Sequence, residues 1–202
     1  MPDTTTPAIK PLEKDEAALA FLLSRRSRPA KTLVTPVPSR DELLPMLTAA
    51  ARTPDHGKLE PWRFIVLEKP ALDRLAGVAR TRGEALGLEP AQVQKGVDQF
   101  ANGNLAVAVI EIIKPNEKVP AVEITYSAGA ACLQLLNAAL ASGWGANWLS
   151  GWASHDRGFC TEALDLAEDE RIAGLIHIGT EKATPPERPR PDLEAITTWL
   201  SE

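Results

Sequence analysis

Residues 122–141 constrain this chain more than any other stretch. They read as one long helix built mostly of Ala, Leu and Gly, with few charges and no broad polar face for water. Such a helix is expected to be buried on nearly all sides. A chain of 202 residues has room for one domain with a sizeable core. Burying every side of so long an apolar helix inside one small domain is hard. Part of its surface is therefore expected to pack against a second copy, which predicts a homodimer.

The remaining elements follow from period and punctuation. Leu105–Ile113 is almost continuously apolar, as expected of a central strand covered on both faces. Trp62–Leu67 and Arg171–Gly179 are further strands, and residues 145–149 form a short strand or loop after the Gly143 stop. A helix over residues 16–23 ends at a run of arginines. Ser39, with Glu42 three residues on, forms a capping box for a helix over about 40–52. Leu43, Leu44, Leu47, Ala50 and Ala51 should make its core face, with a kink possible at Pro45. Pro70 and Pro90 open helices reaching about Leu86 and Phe100, and residues 156–167 form another. A Pro-rich segment, 184–191, leads to a terminal helix from about Asp192. Residues 1–15 are expected to be a disordered leader and 16–202 a single domain. Helices and strands mix without a strict βαβ repeat, and neither G-x-G-x-x-G nor a P-loop is present. The expectation is an α+β fold, a four- or five-stranded sheet flanked by helices.

Charge narrows the partners. The net charge of −5 disfavours a nucleic-acid or anionic-membrane surface. Cys132 and Cys160 are the only cysteines, so no disulfide framework or metal site is expected, and a reducing compartment is. The N-terminal residues lack a signal-type apolar segment, and the apolar stretches look interrupted before membrane-spanning length. Cytoplasm is the resulting expectation.

Within this acidic chain the cations are grouped. Ser24-Arg25-Arg26-Ser27-Arg28 gathers three guanidiniums and two hydroxyls where a helix gives way to a loop. Guanidinium forks match phosphate oxygens. Arg52, His56 and Lys58 fall within one turn-rich segment, and Arg188-Pro189-Arg190 lies near the C-terminus. Three basic, loop-like clusters suggest one anionic small molecule held from several sides. Each has a plainer reading: a helix end suited to cations, a Pro-Asp-His-Gly turn, and a solvated linker. Trp62 and Trp148 read as packing, Trp152 as either packing or a ligand wall, and His177 as a satisfied core histidine.

The order of these pieces resembles the nitroreductase family, in its short form. The likeness rests on Arg25-Arg26-Ser27, Ala49–His56, Pro61–Phe64, Ser127–Ala131, Gly143–Gly145, Leu149–Gly151 and Ile176–Thr180. It covers nearly all of residues 16–202. The resemblance implies a nitroreductase-like α/β sandwich with a mostly antiparallel central sheet, assembled as a domain-swapped homodimer with FMN at the subunit interface. It also implies ping-pong transfer of two electrons from NADH or NADPH to nitroaromatic, quinone or similar small-molecule acceptors. By position, Arg25, Arg26 and Ser27 would hold the FMN phosphate and ribityl chain, and Arg52 and His56 would come from the partner. Leu149, Ser150 and Gly151 would line the flavin, and Arg188 or Arg190 would close over the phosphate. One of Arg52, His56 and Lys58 would sit near flavin N1 and tune its potential. Leu149 departs from the family, whose close relatives carry Arg there. No protein residue is expected to act as acid, base or nucleophile. The same scaffold could instead serve a flavin reductase, a dehalogenase-type enzyme, or a flavin-binding sensor or storage protein.

Overall fold

The computed structural model describes residue 9 and residues 11–202. Residues 1–8 and 10 of the expected leader lie outside the described residues, and 11–15 carry no regular structure. The elements run α1 Glu16–Ser24, β1 Leu33–Val34, α2 Arg40–Ala50, β2 Trp62–Glu68, α3 Lys69–Ala85, α4 Pro90–Ala101 and β3 Leu105–Ile112. They continue with α5 Ala121–Ala141, β4 Gly145–Leu149, α6 Trp152–His155, α7 Arg157–Leu164, β5 Glu170–Glu181 and α8 Leu193–Ile196. Every strand pairing is antiparallel, in the order β1-β5-β3-β2, with β4 also pairing with β5.

Alternation along β3 explains the layers. Ala106, Ala108 and Ile110 join a core with Leu72, Leu75, Phe100 and Phe159 from α3, α4 and α7. Val107 and Val109 point the other way, into a core with Met46 of α2 and Leu135 of α5. The sheet is thus covered on both faces, and β3 is buried from Leu105 through Glu111. Three arginine–carboxylate pairs join elements within the layers: Arg63 to Glu170 and Arg171 to the buried Glu111 between strands, and Arg82 to Asp156 between α3 and the start of α7. Each is a two-pronged contact, the arrangement that gives these pairs their strength.

Several expectations are corrected. The α2 core face is Leu43, Met46 and Ala50, while Leu44 and Ala51 are exposed. The helix keeps its capping box and carries Pro45 within it, but stops at Ala50. The helix expected over 156–167 is α7 preceded by the short α6, and the terminal helix is a single turn. The largest difference concerns α5. Ile124, Ala128, Ala131, Leu135 and Ala139 are buried, but Val122, Tyr126 and Leu133 on the far side are exposed, Tyr126 by 69%. One chain buries one face of α5 only. Among the described residues α5 is also long and apolar enough to cross a membrane, with mean hydropathy 1.3. The expectation that polar residues interrupt every apolar stretch too early does not hold for it. Its buried face lies on the sheet core.

Candidate functional site

α1 starts at Asp15, whose side chain accepts the Ala18 N–H, and ends where Arg25 turns to φ −57°, ψ 143°. The next residues lie against β4. The Arg28 N–H donates to the Ala146 carbonyl at 2.8 Å, and Asn147 Nδ2 donates to the Arg28 carbonyl at 3.0 Å. Gly145, beside these contacts, makes room for β1, since a Cβ there would stand 2.6 Å from Leu33 Cδ2. The loop carrying the arginines is therefore fixed to the sheet by its own backbone.

The guanidiniums differ in how they are matched. Arg28 pairs with Glu181 at 2.8 Å. Arg25 and Arg26 have no carboxylate partner among the described residues. Arg25 Nη2 reaches Ser27 Oγ at 3.1 Å and Arg26 Nη1 reaches the Ser27 carbonyl at 3.2 Å. The Nε atoms of both are buried with no hydrogen-bond partner. Burial holds the Arg25 pKa below its ordinary value, and the charges of Arg190, Arg26 and Arg28 push in the same direction. Buried donors on uncompensated cations cost free energy unless an anion meets them. Arg190 thus acts on this cluster while bonded to Glu187 at 2.7 Å. Arg188 is exposed, and its side chain makes no hydrogen bond or ion pair among the described residues.

The second basic segment sits elsewhere. Arg52 is exposed just beyond α2. Gly57, Lys58 and Glu60 all have positive φ, at 74°, 55° and 46°. A side-chain-bearing residue in that region stores strain, a pattern common at functional loops. Ser127 Oγ donates to the Pro54 carbonyl at 3.0 Å, and Lys114 Nζ donates to the Leu59 and Glu60 carbonyls, so the segment is held at both ends. His56 Nδ1 lies 2.7 Å from Glu123 Oε2, in the first turn of α5. An open groove of about 320 Å³ runs here between Pro54, His56, Tyr126 and Ala130. By contrast α1 lies over the other end of α5, where Phe21 and Leu22 share a groove of about 500 Å³ with Gln134, Asn137 and Ala141. At about 1.5 Å per helical residue, the centres of these two stations are roughly 16 Å apart along α5. Within one chain the Arg25 cluster and the His56 segment do not meet.

Leu149, Ser150 and Gly151 run from the end of β4 into α6. Leu149 pairs with Leu175, on the sheet face away from α5. Leu149 and Ser150 line a cavity of about 310 Å³ with Lys31, Lys95, Gln99 and His177. Sequence spacing gave no signal for these four, because they come from a turn, a helix and a strand far apart in the chain. His177 is 3% exposed, and its Nε2 has no partner, so it is buried but not the satisfied histidine expected. Burial lowers its pKa to about 4 and keeps it neutral near pH 7. Trp152 is structural: its Nε1 donates to the Gln92 carbonyl at 3.1 Å, and it lies over Gly83 and Gly96. Trp62 donates to Ser127 Oγ at 3.1 Å, and Trp148 packs on Gly174. Burial raises the thiol pKa of Cys132 to about 12 and also raises that of Cys160, so neither is a ready nucleophile. Among the described residues no group of three His, Cys, Asp or Glu side chains could hold a metal.

Comparison with known proteins shows the family and the fold. The nitroreductase family profile matches residues 22–180. The Escherichia coli K12 protein YdjA, provisionally named an NAD(P)H nitroreductase, is 33% identical over 163 residues, covering 81% of this chain and 87% of its own. The crystal structure of a nitroreductase-like family protein from Bacillus cereus superimposes with a TM-score of 0.77 at 20% identity, covering 95% of this chain and all of the other. A Desulfovibrio desulfuricans structure described as a nitroreductase in complex with FMN gives 0.70 at 22% identity, covering 93% and 99%. The chain belongs to the nitroreductase family of oxidoreductases.

Proposed function

We propose that this protein is an FMN-dependent oxidoreductase that passes two electrons from NADH or NADPH to nitroaromatic, quinone or similar oxidised acceptors in a ping-pong cycle. The observation that carries the reading is the pair Arg25 and Arg26, partly buried, with no carboxylate hydrogen-bonded to either among the described residues, and crowded by Arg190. That donor set fits a phosphate monoester dianion. When bound, FMN supplies the two-electron chemistry. The chain's own task is to hold the phosphate through Arg25, Arg26, Ser27 and Arg190, and to present the backbone of Leu149–Gly151 to the ring.

The separation of the two basic clusters supports a site shared between two copies. Arg52, His56 and Lys58 of one chain would complete the site begun by Arg25 of the other. Exposed apolar surface supports the same assembly. Leu19, Leu22 and Leu23 on α1, Val122, Tyr126 and Leu133 on α5, and the tail residues Leu193, Ile196, Trp199 and Leu200 are all exposed. Exposed apolar side chains in this number suit an interface. A tail with Trp199 90% exposed suits exchange with a partner, as in a domain-swapped homodimer. Residues 16–202 act as one unit in this reading, and the reduced buried thiols suit the cytoplasm.

The test is spectroscopic. Purified protein supplied with FMN should show a protein-bound flavin band that NADH or NADPH bleaches, and an acceptor should restore it. Bound flavin that neither nicotinamide reduces would favour a sensor or storage role. Failure to bind FMN at all would end the proposal.

A further inference from the structure

We propose that Arg28 and Glu181 form a positioning pair that holds the Arg25–Ser27 grip in its phosphate-binding shape without touching the phosphate. This rests on the flavin reading above, in which that grip receives the FMN phosphate.

Three guanidiniums this close in sequence look like three equivalent anion ligands, but the fold separates them. Arg25 and Arg26 have no carboxylate hydrogen-bonded to either among the described residues, whereas Arg28 is engaged within the chain at two of its nitrogens. Its Nε donates to Glu181 Oε2 at 2.8 Å, and its Nη1 donates to the Arg26 carbonyl at 2.6 Å. The two side chains are only 22% and 27% exposed, so water screens their contact less than that of a surface pair. Arg28 holds the Glu181 carboxyl below the usual carboxylate range, so both partners are charged at neutral pH.

What the pair fixes is the peptide between Arg26 and Ser27. The Arg26 carbonyl lies in that rigid plane, so holding it limits the torsions that aim Ser27. Ser27 in turn meets both unmatched guanidiniums. Its Oγ accepts from Arg25 Nη2 at 3.1 Å, and its carbonyl accepts from Arg26 Nη1 at 3.2 Å. The anchor itself is firm. Arg28 is bonded to β4 through both its N–H and its carbonyl. Glu181 ends β5 opposite Leu33 of β1, and the following Lys182 N–H donates to the Thr32 carbonyl at 3.1 Å. The segment that brings Arg190 to the cluster leaves β5 at this point, so one ion pair joins the arginine loop to the root of that segment. A loop ordered before its ligand arrives loses less conformational entropy on binding. Without the pair, the peptide before Ser27 is free to turn, and the phosphate has to order it.

The test measures dissociation constants by fluorescence titration of FMN-free protein with FMN and with riboflavin, which has the same ring and chain but no phosphate. For Arg28→Met the FMN constant should rise about tenfold, while riboflavin binds as it does to the parent. Arg28→Lys keeps the charge but replaces a planar fork by a point donor, and should lose nearly as much. Glu181→Asp keeps both charges, withdraws the carboxylate by about 1.5 Å, and should weaken FMN binding severalfold, again without moving riboflavin. This conservative variant keeps the proposal falsifiable if Arg28→Met fails to fold. Parent-like FMN affinity in Arg28→Lys would make charge alone sufficient and overturn the positioning role. Equal losses for FMN and riboflavin would mark a general structural role and overturn it too, as would FMN affinity unchanged in all three variants. In each of these cases a parent that still binds FMN leaves the flavin reading intact. A parent that takes up no FMN overturns both.

Discussion

Arg25→Ala should change two quantities in opposite directions. In the FMN complex, Arg25 is assigned a charge-assisted hydrogen bond to phosphate, a contact worth about 1.5–3 kcal/mol. At about 1.4 kcal/mol per decade, its loss should raise the FMN dissociation constant roughly 10- to 100-fold. Without FMN the same side chain is a liability. Its Nε is buried without a partner, and Arg190, Arg26 and Arg28 all disfavour its charge. Two like charges about 7 Å apart in a medium of effective dielectric constant about 40 repel by roughly 1 kcal/mol. Removing one should therefore stabilise the FMN-free protein by a similar amount, raising its melting temperature by about 2–4 °C for a chain of this size. Scanning calorimetry of FMN-free and FMN-loaded protein reads both effects. A variant that melts lower without FMN and binds FMN as tightly as the parent would refute the claim that the cluster exists for an anion.

Other expectations follow from the same geometry. An unfolded histidine titrates near 6.5, whereas His177 stays neutral down to about 4, so acid favours the unfolded chain. Its contribution is complete above about pH 6.5 and should have cost about 2 kcal/mol by pH 5; His177→Gln should flatten that part of the stability–pH curve in denaturant titrations. Arg82 holds the Asp156 carboxyl low, and Arg63 does the same for Glu170. The stability these carboxylates add is present above the usual carboxylate range and should disappear as pH falls below about 4, visible in acid titration by circular dichroism. Gly96→Ala puts a Cβ 2.4 Å from Trp152 Nε1 and should destabilise by about 1–3 kcal/mol, with the Trp152 fluorescence shifted. Leu135→Ala, at a fully buried position between α5 and the sheet, should cost about 2–5 kcal/mol in chemical denaturation.

Much of this arrangement is legible in the residues alone. The continuous apolar run at β3, the prolines opening α3 and α4, and the Ser39–Glu42 box are local signals whose meaning does not depend on the rest of the chain. The arginine cluster is legible as chemistry, because three guanidiniums in a short loop need an anion or water. What sequence misses is set by three-dimensional neighbours. The reading of α2 favoured Leu44 and Ala51 over Met46, because apolar residues on both sides of the helix blur its periodicity. Nothing in the spacing of Lys31, Lys95, Gln99 and His177 shows that β5 and α4 bring them to one cavity. The apolar composition of α5 signals burial but not by what. A single chain covers one face, and the remainder points to a second copy.

The claim that two copies complete each FMN site is tested most directly by subunit mixing. Arg26→Ala and Arg52→Ala variants, each deficient in FMN retention, are unfolded together, refolded and titrated with FMN. If the site draws Arg26 from one chain and Arg52 from the other, random pairing in a two-fold dimer leaves about a quarter of the sites fully wild type, and parent-like affinity should return in that fraction. Recovery of no tight sites, or FMN bound at parent affinity by a monomer, would contradict the account.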